Sequence, residues 1–124
     1  MHTNGLIIIS ILLLSIYSCS DTDDTVISAC GVDKPLLELG WLKAEIGRRA
    51  ENPSDEMKYC YIVQGSLAGN DVFIYQDCNP FINKAIFVLD CQGNALQPQG
   101  EINLNSIEDT IVIWKGTNFA CNLN

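Results

Sequence analysis

MKYCYIVQ at residues 57–64, GSLAGN at 65–70 and DVFIYQD at 71–77 form the stretch on which the fold class turns. The two outer runs are rich in aromatic and β-branched residues and the six between them are mostly small and polar. They read as two strands joined by a hairpin. Downstream, KAIFVLD (84–90) and TIVIWKG (110–116) carry the same strand signature. CNPFIN (78–83) is a second short connection. Asp90-Cys91-Gln92-Gly93 has the Asp-first, Gly-last order of a type I turn, continued by a short strand from Asn94 to Gln97. Residues 98–109 read as a polar loop with one strand fragment, Ile102 to Leu104.

Upstream the period changes. In KPLLELGWLKAEIGRRAE (34–51), Leu42, Ile46 and Ala50 recur at every fourth position among charges, as on an amphipathic helix. Gly40 separates a first turn from the main helix. Asn52-Pro53 ends it, because a residue before proline avoids the α region. The order predicts an α+β fold, with one N-terminal amphipathic helix packed on an antiparallel β-meander of four to five strands. A helix docked on one face leaves the opposite face and the loops for a partner.

The 124 residues carry 7 Lys+Arg against 15 Asp+Glu, a formal charge of −8, with 48% hydrophobic residues. A chain this acidic lacks the basic footprint that nucleic acid requires. The single histidine, His2, falls in the N-terminal segment, which removes the usual base from Ser-His and Cys-His catalysis and the usual ligand from zinc sites. No catalytic set, metal site or cofactor motif is predicted.

Leu6 to Tyr17 is an apolar run of about 12 residues, short of the about 20 needed to span a bilayer and suited to the core of an export signal. It ends Ile16-Tyr17-Ser18-Cys19. This resembles the lipobox of bacterial lipoproteins, which have an aliphatic residue three positions before a cysteine and a small residue directly before it. Tyr17 departs from the small residue usual at the middle position. The resemblance implies that Cys19 becomes the lipidated first residue, held in a membrane by several acyl chains, each methylene contributing about 0.8 kcal/mol. The Ser20-Asp21-Thr22-Asp23-Asp24-Thr25 stretch is similar to the acidic segment that sends Bacteroidota-type lipoproteins to the cell surface. The implied organisation is a signal peptide (1–18), a lipidated cysteine with an acidic tether (19–29) and one α+β domain (30–124). The implied location is the cell envelope, as an outer-membrane lipoprotein open to surface exposure.

The Pro35-Leu36-Leu37…Gly40-Trp41-Leu42-Lys43 opening of the helix, with a cysteine in an Asp-x-x-Gly turn, resembles small uncharacterised lipoprotein domains of Bacteroidota, where the opening often reads Pro-Trp-Leu-Lys. That resemblance supports the fold and brings no activity with it.

With Cys19 lipidated, Cys30, Cys60, Cys78, Cys91 and Cys121 remain in a compartment where disulfides persist. Five thiols allow about fifteen arrangements with two bridges. Cys78 and Cys91 bracket one strand, so pairing them would staple neighbouring connections. Cys30 with Cys121 would close a loop of about 91 residues, worth roughly 4 to 5 kcal/mol on chain-entropy grounds. Cys60 is then the odd thiol, set in a strand as a small hydrophobe.

Other charged and aromatic residues have plain explanations. Asp21, Asp23 and Asp24 lack the turn glycine and bidentate Glu of a calcium loop. Asp55-Glu56 and Glu108-Asp109 sit at strand starts, and Arg48 and Arg49 complement the end of a helix. Trp41 is expected at the core edge. Tyr59 and Tyr61 either pack under the helix or, near Phe73 and Tyr75, form an exposed aromatic strip that would recognise an envelope protein or a glycan. These features predict a lipid-anchored, non-catalytic binding or structural module. The alternative is an inhibitor-like module that docks into an enzyme through GSLAGN or the 98–109 loop.

Overall fold

The computed structural model describes residues 27–51, 54–83, 86–96 and 102–124. The expected signal peptide 1–18, Cys19 and the acidic stretch to Thr25 lie outside the described residues, as do Asn52-Pro53 and part of the 98–109 loop. The protein has an α+β architecture: short helices and one four-stranded antiparallel sheet.

Pro35 opens a single helical turn, α1 (Pro35–Glu38), which suits its missing N–H and fixed φ. Leu39 then turns extended, with φ −83° and ψ 106°, so the break falls there and Gly40 becomes the first residue of α2 (Gly40–Glu51). Residues 57–59, expected as the start of a strand, instead finish a 3₁₀ turn over Asp55–Tyr59. Asp55 and Glu56 favour the N-terminal turn of a helix. The carbonyls of Lys58 and Tyr59 accept from Ala120 N–H and Cys78 N–H at 2.8 and 3.0 Å, outside any strand ladder.

The sheet comprises β1 (Cys60–Leu67), β2 (Asn70–Asp77), β3 (Phe87–Leu89) and β4 (Glu108–Lys115). β1 and β2 pair without a slip from Cys60↔Asp77 to Leu67↔Asn70, turning on Ala68 and Gly69, which both have positive φ as a two-residue hairpin demands. The strand order is β3-β2-β1-β4, the Greek-key order, and this corrects the expected sequential meander. Strand length explains the difference. β3 has only three residues, and Ala95 and Leu96 lie along its outer side through the Leu89↔Ala95 bridge and Leu96 N–H to Val88 O. The eight residues of β4 instead match the eight of β1, whose other edge they cover. The expected strand fragment Ile102 to Leu104 gives way to a 3₁₀ turn at Leu104–Ser106, started by Asn103 Oδ1 accepting from Asn105 N–H at 3.0 Å.

Each sheet face is apolar. On one, Ile62, Phe73 and Leu89 cluster with Leu42 of α2 and Ala29, with Trp41 and Ile46 packed alongside. On the other, Val63, Val72, Ile74 and Val88 cluster with Ile107, and Ile102 and Val112 pack against them. Gly65 is required here: a Cβ at that position would lie 2.6 Å from Ile107 Cγ2. Because Val72 and Val88 are each 1% exposed, the second face is not left open for a partner, contrary to the expectation from sequence.

The disulfides are Cys30–Cys91 and Cys78–Cys121, and this corrects the expected Cys78–Cys91 and Cys30–Cys121 pairs. Antiparallel geometry decides it. β2 and β3 run in opposite directions, so Cys78 after β2 and Cys91 after β3 emerge at opposite ends of the sheet, about 20 Å apart at about 3.3 Å per residue. Cys91 comes out beside Asp71, where Cys30 lies with its N–H 2.7 Å from Asp71 Oδ2. Cys121 follows β4 back to the start of β1, next to the end of β2 and Cys78. Cys60 stays outside both bridges and is buried.

Candidate functional site

α2 and β2 together set the site. Trp41, near the helix start, sits at the hairpin end of the sheet: its ring crowds Gly93, which has φ +81°, and its Nε1–H donates to Cys91 O at 2.8 Å. The Asp90 carboxylate holds that turn by accepting from Gln92 N–H and Asn94 N–H, both at 2.9 Å. Edge-to-face contact with Phe73, 5.5 Å between centroids, fixes the ring from below. Eight residues later the helix has crossed to the other end and places the Arg49 guanidinium 4.8 Å above the ring of Tyr75.

Glu45 holds this corner. It accepts from Arg49 Nε at 2.8 Å and forms a short ion pair with Arg48 Nη2 at 2.6 Å. The Arg48 hydrogen bond, with help from Arg49, keeps the Glu45 carboxyl below the usual carboxylate range despite partial burial. Burial first, and the Glu45 charge second, push the Tyr75 hydroxyl up to about 12. Tyr75 is therefore a neutral phenol throughout the physiological range.

Beyond Tyr75 the chain leaves β2 through two successive Asx turns. Asp77 Oδ1 accepts from Asn79 N–H at 2.8 Å and Asn79 Oδ1 accepts from Phe81 N–H at 3.0 Å. The turns throw Phe81 outward to 89% exposure, with Ile82 beside it. The chain returns as β3, where Phe87 stands across from Tyr75 and is 46% exposed. Between α2, this loop and the end of the sheet lies a groove of about 820 Å³, whose lining includes Arg49, Tyr75, Gln76, Asp77, Asn83 and Phe87. The buried Cys60 thiol forms part of its wall, its Sγ 3.5 Å from Asp77 Oδ2.

Of the residues singled out in the sequence, only Cys60, Tyr75 and Arg49 converge here. Arg48 and Arg49 bind Glu45 as well as standing at the helix end. Tyr61 packs edge-on against Phe119 at 5.8 Å, and Tyr59 is half-buried with Lys58 Nζ 5.1 Å from its ring centre. The two tyrosines form neither a layer under the helix nor an exposed strip. GSLAGN ends in a tight two-residue turn, and the described part of the 98–109 loop is anchored through Ile102 and Ile107. Asp55, Glu56, Glu108 and Asp109 are exposed, with Asp109 at φ +52° in a stretch where β4 slips against β1. Cys30, Asp71 and Cys91 form the cluster with metal-ligand chemistry among the described residues, but both sulfurs are bonded to each other. Phe81, Ile82, Asn83 and Phe87 were not singled out. The signal for the first three is an apolar pair set between turn formers, Asn79-Pro80-Phe81-Ile82-Asn83, where burial is hard to arrange; Phe87, inside a strand-like run, has none.

No helix among the described residues is long and apolar enough to cross a membrane. The chain matches no protein-family model, no curated protein and no solved structure.

Proposed function

We propose that the protein is a lipid-anchored envelope protein, held through Cys19, that binds a partner in the groove beside Phe87 and carries out no chemistry of its own. One observation carries the binding half: Cys30 and the groove lie at opposite ends of the sheet, and Ile27 lies over the middle of it, its carbonyl accepting from Gln64 Nε2 at 3.4 Å. Cys30 is tied to Cys91 and to Asp71 at the hairpin end, while Phe81, Ile82 and Phe87 lie past Asp77 at the other. Asp71 and Asp77 are separated by about 20 Å of strand. Neither Ile27 nor Cys30 lines the groove, so a tether that joins the domain at residue 27 need not occupy it.

The anchoring half rests on the apolar run ending Ile16-Tyr17-Ser18-Cys19. The amphipathic α2, with Leu42 buried against the sheet, serves as the rigid brace that carries Arg49 to the groove. The non-catalytic half is supported by the groove's groups: aromatic, amide, guanidinium and carboxylate side chains and the buried Cys60 thiol, with no histidine among the described residues to serve that thiol as a base.

Replacing Cys19 by Ser is expected to move the protein from the membrane pellet to the soluble fraction and to abolish incorporation of labelled palmitate. Retention and labelling at the wild-type level would refute the anchor. Saturable binding of isolated envelope fragments to the immobilised chain is expected to be lost in Phe87→Asp, and unaltered binding would refute the groove as the site.

A further inference from the structure

We infer that the ligand of this groove is a neutral saccharide. The inference rests on the groove being the binding site, as proposed above, and adds the class of molecule it takes.

The lining combines the Tyr75 and Phe87 rings and the aliphatic Ile82, Ile86 and Leu89 with the planar polar groups of Arg49, Gln76, Asp77 and Asn83. Tyr75 and Phe87 are cross-strand partners on one face, and Phe87 leaves part of its ring uncovered. Arg49 uses its Nε–H on Glu45 and its flat face on Tyr75, with a side chain only 16% exposed. Its Nη1 and Nη2 donors have no protein acceptor among the described residues. Asp77 supplies a carboxylate acceptor, and Gln76 and Asn83 each supply an amide that donates and accepts. A pyranose fits this set. Its C–H face lies on an aromatic ring, and each hydroxyl both donates and accepts, so paired hydroxyls engage guanidinium, carboxylate and amide together.

Other occupants fit less well. A hydrocarbon chain would suit Ile82, Ile86 and Leu89 but would cover the Arg49 Nη donors without giving them a hydrogen bond, which desolvates a charged group at high cost. An extended peptide gains affinity by adding a strand, but Ala95 and Leu96 already lie along the outer side of β3. An anionic ligand would approach a chain of net charge −8, with Asp77 in the lining and Glu45 already balancing Arg49. At about 820 Å³ the groove falls within the roughly 300–1,000 Å³ range of small-molecule sites.

The test titrates the purified full chain in detergent with maltotriose, cellotriose and triacetylchitotriose by calorimetry. At least one is expected to bind saturably with a Kd of about 1 mM or tighter, the range of a few aromatic and hydrogen-bond contacts. Phe87→Ala is expected to weaken it at least tenfold. Arg49→Lys, which keeps the charge and loses the fork, is expected to weaken it several-fold. An unchanged thermal midpoint in Asn83→Ala, with weakened binding, separates contact from folding. Periodate treatment of envelope fragments, which cleaves vicinal diols, should then abolish their groove-dependent capture, whereas protease treatment should leave it intact. Failure of all three sugars to bind overturns the saccharide inference, as does binding indifferent to Phe87→Ala. If capture of envelope fragments still depends on Phe87 but is destroyed by protease, the groove remains the site and its ligand is a protein.

Discussion

The two ends of the sheet use the same kinds of residue in opposite ways. At the hairpin end, an aromatic ring, a carboxylate and a disulfide are all turned inward. Trp41 lies on Gly93 and donates to Cys91 O, Asp90 closes its own turn, and Cys30–Cys91 ties the incoming chain to both. At the groove end a disulfide is also present, Cys78–Cys121, but Phe81 is 89% exposed, Phe87 is half exposed and Arg49 Nη1 and Nη2 have no acceptor among the described residues. Groups consumed in folding are unavailable for recognition. On the proposed function, the contrast separates an end built for stability, where Cys30 is bonded to Cys91, from an end whose exposed contacts would serve a ligand.

The largest expected effects come from the disulfides, because both constrain long loops. Cys30–Cys91 spans a sequence separation of 61 and Cys78–Cys121 one of 43. Loop closure alone gives about 4 kcal/mol for each. If the hairpin end is the better packed, replacing Cys30 and Cys91 together by Ala should cost more than replacing Cys78 and Cys121, since Trp41 and Asp71 lose their anchor too. Urea melts of the two double variants compare them directly. A larger loss from the Cys78/Cys121 pair would reverse the ranking of the ends.

A smaller effect sharpens the same contrast within the hairpin end. Gly69 and Gly93 both have φ of +81°, so alanine at either is strained by about 1–2 kcal/mol. A Cβ at Gly69 meets nothing within 4 Å, whereas one at Gly93 would lie 2.7 Å from Trp41 Cδ2. Gly93→Ala must therefore also displace the indole, adding about 1–3 kcal/mol of overpacking. It should shift tryptophan fluorescence, which Gly69→Ala should not. Equal losses in the two variants, with unchanged emission, would mean that Trp41 is not seated on that turn.

How much of this was legible in the sequence follows from how local each feature is. The amphipathic stretch carrying Leu42 and Ile46 and the paired strands on either side of Ala68-Gly69 depend on neighbours a few positions away, and period and turn chemistry locate them. The position of β4 depends on which strand has a free edge of matching length, a contest between segments some 50 residues apart that composition does not record. Cysteine pairing inherits that uncertainty, because strand direction decides which thiols emerge together. The burial of the second face was hidden for a related reason. Val63, Val72 and Val88 read as strand residues whether or not Ile102 and Ile107 fold over them. The groove was the least legible feature, since an exposed Phe81 and a buried Phe73 are the same letter.

The smallest expected effect bears most directly on function. Phe81 is the most exposed of the large apolar residues among those described, at 89%, and an exposed phenyl contributes almost nothing to folding. Phe81→Ser should therefore leave stability within about 0.5 kcal/mol of wild type, as for surface changes generally. The backbone around it is held by other atoms. Its own N–H is accepted by Asn79 Oδ1, and Asn79 N–H by Asp77 Oδ1, neither of which involves the ring. If the ring serves recognition, the same substitution should weaken capture of envelope fragments while the urea midpoint stays fixed, because it removes an exposed apolar ring adjacent in the chain to Ile82, which lines the groove. A midpoint lowered by 2 kcal/mol or more would show instead that Phe81 is packed in the folded protein in solution. The groove end would then be a second stability end, and the contrast drawn here between the two ends of the sheet would collapse.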